Sequence, residues 1–69
     1  MVMTKTLGQR LRQLRRERGL TQYELADLSG WHQSTISHLE LDRVPRGSRA
    51  IPDLAAALGV SEASLRGLK

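Results

Sequence analysis

The stretch QYELADLSGWHQSTISHL, residues 22–39, is the part of the chain whose reading decides the fold. Thr21, followed three residues later by Glu24, has the spacing of a capping box. It opens a short helix that carries Leu25, Ala26 and Leu28 and stops at Gly30. A second short helix is expected over about residues 33–41, with Ile36 and Leu39 one turn apart on its inward face. Two helices this short, joined by a turn this tight, must meet at a steep angle. That requires a small residue where the backbones approach and a turn residue that accepts positive φ, and Ala26 and Gly30 fit those places. Leu25, Trp31, Ile36 and Leu39 supply the apolar anchors. An arbitrary helical hairpin meets some of these conditions and rarely all of them together.

Working outward, Leu7, Leu11 and Leu14 at i, i+4 and i+7 form one stripe of a helix over about residues 7–18. Thr6 with Gln9 is a second capping box, Gly19 is a natural stop, and the face opposite the leucines is arginine. Residues 42–50, DRVPRGSRA, have turn chemistry and no period, so they read as a loop. A fourth helix is expected over about residues 51–58, with Pro52 in its first turn and Gly59 at its end. Ser61 and Glu62 open a last short helix holding Leu65 and Leu68. No strand-like alternation or internal repeat is present. The expectation is an all-α domain of five helices spanning residues 1–69, with residues 1–5 as a flexible arm.

Charge is distributed unevenly. Residues 1–20 carry Lys5, Arg10, Arg12, Arg15, Arg16 and Arg18 against Glu17 alone. Residues 21–41 carry only Glu24, Asp27 and Glu40, and residues 42–50 carry Arg43, Arg46 and Arg49 against Asp42. Two basic blocks flanking a stretch of small polar residues suit a nucleic-acid surface. A solvated, arginine-rich helix face is the plainer reading of charge alone.

Other classes find little support. The longest apolar run, Leu54 to Leu58, is far short of a membrane span, and Met1 to Thr6 lack a signal-peptide core. The chain has no cysteine, so neither a disulfide framework nor a thiolate metal site is available. A cytoplasmic protein is expected. His32 and His38 project about 240° apart at 3.6 residues per turn, with no third ligand evident, so no metal is expected. No nucleophile–base pairing, glycine-rich phosphate loop or carboxylate dyad marks an enzyme, and no cofactor or small-molecule ligand is expected.

The runs LRQLRRERGLTQYELA, QSTISHLE and LAAALGVS together resemble the Cro/cI-like (Xre-type) helix-turn-helix proteins of bacteria and their phages. The resemblance covers about residues 7–65 and implies the five-helix, lambda-repressor-like fold, with the helix at about 33–41 as recognition helix. It implies that Gln22 contacts a phosphate and braces Gln33, whose amide can pair with adenine N6 and N7. It places Ser34, Ser37 and His38 at base edges or the adjacent backbone. Thr35 lies beside them within reach of a phosphate, and Arg43 and Arg46 match phosphate-clamping positions. It pairs Arg15 with Glu40 as an architectural ion pair, which removes Arg15 from the list of DNA contacts.

Departures from the family pattern concentrate near the turn. His32 stands where a serine or threonine cap is usual, and Trp31 replaces a small aliphatic residue next to Ser29. Leu28 falls at a usually polar position, and Asp42 stands where glycine commonly ends the recognition helix. The function implied is a sequence-specific, double-stranded-DNA-binding transcriptional regulator of the repressor type, acting as a homodimer on two half-sites. Leu65, Leu68 and Leu28 are candidate dimer contacts, while Leu65 and Leu68 serve equally to close the core. The alternative is an antitoxin-type or adaptor module whose main partner is a protein, for which a wrapping segment beyond the DNA domain is expected and not evident. An RNA-binding adaptor ranks lower, since Tyr23 and Trp31 are the only aromatics for stacking.

Overall fold

The computed structural model describes residues 5–44 and 48–67, and these form five helices and no strand. They are α1 (Leu7–Glu17), α2 (Gln22–Ser29), α3 (Gln33–Glu40), α4 (Ala50–Leu58) and α5 (Glu62–Leu65). Of the arm expected over residues 1–5, only Lys5 is described, and its ammonium donates to Gln13 Oε1. Arg46 and Leu68 lie outside the described residues.

Local chemistry sets most boundaries. The Thr6–Gln9 and Thr21–Glu24 capping boxes are both complete, each side chain accepting from the other residue's backbone N–H. Gly19 and Gly30 take positive φ where α1 and α2 end. The fourth helix starts one residue earlier than the sequence predicts, at Ala50. The reason is Ser48, whose Oγ accepts from Ala50 N–H (3.2 Å) and whose carbonyl accepts from Ile51 N–H (3.2 Å). Pro52 still falls within the first turn.

The core is assembled from every helix: Leu11, Leu25, Ile36, Leu39, Ile51, Leu54, Leu58 and Leu65 are all buried. Leu65 is 1% exposed inside this core, so of its two sequence-level roles the structure gives it the intramolecular one. Leu28 instead lies outside, 61% exposed. Trp31 is half-buried against the core, and its indole N–H donates to Asp53 of α4 (2.8 Å), fastening the α2–α3 turn to the start of α4.

Helix α1 crosses the C-terminal end of α3 at close range. An ideal Cβ on Gly8 would stand 2.4 Å from the Leu39 carbonyl oxygen and 2.6 Å from that of Glu40. Asp42 closes the same joint. It takes φ 58° after α3, with Asp42 N–H donating to the Leu39 carbonyl (3.0 Å) and Arg43 N–H to that of His38 (2.9 Å). This is the Schellman pattern, made here by aspartate in the glycine position. The carboxylate is used as well: it accepts from Gly8 N–H (2.9 Å) and from the Thr6 hydroxyl (2.6 Å). Helix α1 has no acidic residue in its own first turn, and Asp42 supplies that anion from the end of α3.

At the other end of the same contact, Arg15 and Glu40 form a buried bidentate pair. Arg15 Nε donates to Glu40 Oε2 (2.6 Å) and Nη2 to Oε1 (3.1 Å), while Nη1 donates to the Leu20 carbonyl (2.7 Å). Both residues are about nine-tenths buried.

Three outcomes are expected from this packing. Gly8→Ala lowers stability by about 1–3 kcal/mol in urea titration, because the added methyl meets backbone that cannot rotate away; an unchanged midpoint rejects the close approach. Arg15→Met alone loses about 3–5 kcal/mol by stranding a buried carboxylate, whereas Arg15→Met/Glu40→Leu recovers most of that loss. Equal losses in the single and double variants would show that the charge is solvated. The third concerns Glu24, whose carboxyl is held below its ordinary value, first by the Thr21 backbone N–H and then by the Thr21 hydroxyl. Its folded pKa is depressed, so its stabilisation is present above the unfolded pKa and fades as pH falls through the folded one. Glu24→Gln, whose amide oxygen still caps, flattens that acid loss in a pH-stability profile; an unaltered profile counts against the cap.

Candidate nucleic-acid interface

Helix α3 is amphipathic in a way that separates structure from chemistry. Ile36, Leu39 and Glu40 are buried. Ser34 and His38, one turn apart, point away from Ile36 and Leu39, and Gln33 and Ser37, also one turn apart, lie between that outward face and the Ile36 side. Ser34 and His38 are exposed, Gln33 and Ser37 half-buried, and Thr35 half-buried at the margin beside Leu39. Among the described residues the side chains of Ser34, Thr35, Ser37 and His38 make no hydrogen bond, so their polar groups are available to a partner. His32 occupies the cap position without a side-chain cap bond.

Gln33 is not loose. Its Nε2 donates to Gln22 Oε1 (2.6 Å), and Gln22 Nε2 in turn donates to Glu40 Oε1 (3.1 Å). Gln22 is the first residue of α2, so its side chain leaves a helix N-terminus and lies across α3. Gln33 and Glu40 are seven residues apart on one side of α3, and Gln22 spans them. The structure thus brings Gln22, Gln33, Glu40 and Arg15 into a single hydrogen-bonded chain. Charge spacing gives no hint of that link, because the members lie on three different helices.

Arg43 is exposed just past the Asp42 turn, and its side chain makes no ion pair among the described residues. The remaining cations of α1 and its C-cap lie around the exposed side: Arg12, Arg16 and the cap residue Arg18 face solvent and Arg10 is half-buried. Among the described residues, Tyr23, Leu28 and Leu41 are the exposed large hydrophobic ones. Among the described residues there is no group of three metal-ligating side chains, and no helix is long and apolar enough to cross a membrane.

Two short helices joined by a tight turn, the second with a polar face that makes few hydrogen bonds among the described residues and an exposed arginine just beyond it, are the arrangement of a helix-turn-helix. The chain matches the family model described as a helix-turn-helix domain over residues 6–68. It is 43% identical over 65 residues to an uncharacterized HTH-type transcriptional regulator of Sinorhizobium fredii, covering 94% of this chain and 84% of that protein. The crystal structure of the restriction-modification controller protein C.AhdI from Aeromonas hydrophila is similar, with a TM-score of 0.80 at 39% identity over 86% of this chain and 89% of that one. So is SinR, described as the master regulator for biofilm formation and solved in complex with DNA, with a TM-score of 0.79 at 33% identity over 87% of this chain and 97% of that one. Fold, motif and similarity agree that the chain belongs to the helix-turn-helix family of transcriptional regulators, with the five-helix fold of Cro/cI-like repressors.

Proposed function

We propose that this protein is a sequence-specific regulator that binds double-stranded DNA and reads the major groove with the outward face of α3. The observation that carries the reading is the state of that face: Ser34, Ser37 and His38 are polar and make no side-chain hydrogen bond among the described residues, and Gln33 is braced beside them. Base edges are read by such side chains, and the Gln33 amide suits adenine. Gln22, Thr35, Arg43 and Arg46 contact phosphate and set the register of the helix, with Arg46 outside the described residues. Arg15 and Glu40 hold the architecture and do not touch DNA. The similarity to SinR, solved with DNA bound, supports the same use of this fold.

The protein acts as a homodimer on two half-sites about one helical turn apart, because one module of this size buries a modest interface. With Leu65 in the core, exposed Leu28 is the remaining described candidate for a dimer contact. Occupying an operator in this way represses transcription. The protein is cytoplasmic, has no enzymatic activity and needs no metal or cofactor. A toxin-binding or adaptor role has no observation in its favour.

Fluorescence-anisotropy titration at two salt concentrations tests the proposal. A dimer placing Arg43 and Arg46 on phosphate at each half-site neutralises about four phosphates, giving a log–log salt slope of roughly −3.6. Selection from randomised duplex is expected to yield a two-fold-related site for which Gln33→Ala/Ser34→Ala loses its preference while retaining salt-sensitive background binding. Binding that survives the double variant with its sequence preference unchanged would overturn the assignment of α3.

A further inference from the structure

The hydrogen bonds linking Arg15, Glu40, Gln22 and Gln33 have a direction imposed by chemistry. Glu40 is 8% exposed, and both of its carboxylate oxygens accept from the Arg15 guanidinium, so it faces Gln22 as an acceptor. Gln22 must therefore turn its NH2 group toward Glu40, where Nε2 lies 3.1 Å from Oε1. Its carbonyl oxygen then faces Gln33. That oxygen only accepts, so Gln33 must donate with its own Nε2, over 2.6 Å. One N–H of Gln33 is consumed. What remains for a partner is its carbonyl oxygen and a single N–H.

We infer that Glu40, acting through Gln22, is a specificity-positioning residue that sets Gln33 to favour adenine over guanine. The inference rests on the proposed base-reading role of Gln33. Adenine offers one acceptor, N7, and one donor, the N6 amine, which match the remaining oxygen and N–H. Guanine offers two acceptors, N7 and O6, and engaging both requires two donors. A glutamine with both N–H groups available can supply them; Gln33 held by Gln22 cannot. The buried charge thus constrains base choice from a position that never meets DNA. Arg15 contributes by holding both Glu40 oxygens in place, with its third donor on the Leu20 carbonyl.

The test measures the adenine-to-guanine affinity ratio at one operator position, the one whose preference disappears in Gln33→Ala. For wild type the ratio at that position is expected to be roughly ten-fold or more. Gln22→Met keeps side-chain length and leaves the Arg15–Glu40 pair intact but removes the relay. Its ratio is expected to fall toward unity through a gain in guanine binding relative to adenine, while loss of the Gln22 phosphate contact lowers binding to every duplex by the same factor and leaves the ratio as the readout. Glu40→Gln, whose amide both donates and accepts, is expected to do the same. Arg15→Met/Glu40→Leu removes the carboxylate without stranding a charge, and serves if Glu40→Gln does not fold, as judged by far-UV circular dichroism.

If Gln22→Met weakens adenine and guanine sites equally, Gln22 acts only on the backbone and the relay is overturned. The same follows if both Glu40 variants keep the wild-type ratio. A Gln33-dependent position that prefers a base other than adenine overturns the relay while leaving base reading by α3 in place. Absence of any Gln33-dependent position overturns both.

Discussion

Glu40 belongs to the recognition helix, yet its carboxylate lies inside the protein, where a charge left alone costs several kcal/mol. The ion pair with Arg15 removes that cost only in one arrangement, with both oxygens met by a planar guanidinium projecting from α1. Sliding α1 along α3 by even one turn would strand both charges. The pair therefore acts less as a source of net stability than as a selector of register. Apolar residues of similar size would pack as well, but would tolerate neighbouring arrangements.

Two other contacts act at the same joint. Gly8 lets the backbones approach to a distance that any side chain would prevent, and Asp42 caps α1 from the far end of α3. Asp42 is an instructive departure. A glycine at this position enters the left-handed region with less strain, but it offers no carboxylate to the Gly8 N–H and the Thr6 hydroxyl. The positive φ at Asp42 is thus matched by two hydrogen bonds to another helix. The same turn presents Arg43 to solvent, so the contact that fixes the end of α3 also fixes where the flanking arginine begins.

The polar groups divide by depth. At the bottom, Arg15 and Glu40 bond each other; in the middle, Gln22 joins Glu40 to Gln33; further out, the side chains of Ser34, Ser37 and His38 make no hydrogen bond among the described residues. Such a gradient lets a rigid interior orient a readable surface without the surface residues spending their own hydrogen bonds on structure. On the proposed reading of α3, substitutions deep in the joint act on base choice and on stability together, whereas those at Ser34 or His38 act on recognition alone.

The features legible in the sequence are those set by neighbours along the chain. Capping boxes at Thr6–Gln9 and Thr21–Glu24, the stops at Gly19, Gly30 and Gly59, and the apolar spacing of each helix all depend on residues within one or two turns. They determined five helices, the tight α2–α3 turn and the polar face of α3. Family resemblance, not spacing, suggested pairing Arg15 with Glu40 and Gln22 with Gln33. Only the tertiary structure decided that Leu65 belongs to the core, that Trp31 bonds Asp53 across 22 residues, and that Asp42 caps α1 through the N–H of Gly8, 34 residues earlier. It alone joined Gln22 to Glu40, 18 residues apart, and so gave the Gln33 amide its direction. The physical reason is that a helix boundary is settled by hydrogen bonds within the segment, whereas the partner of a buried polar group is settled by which helices pack together, and no local pattern encodes that choice.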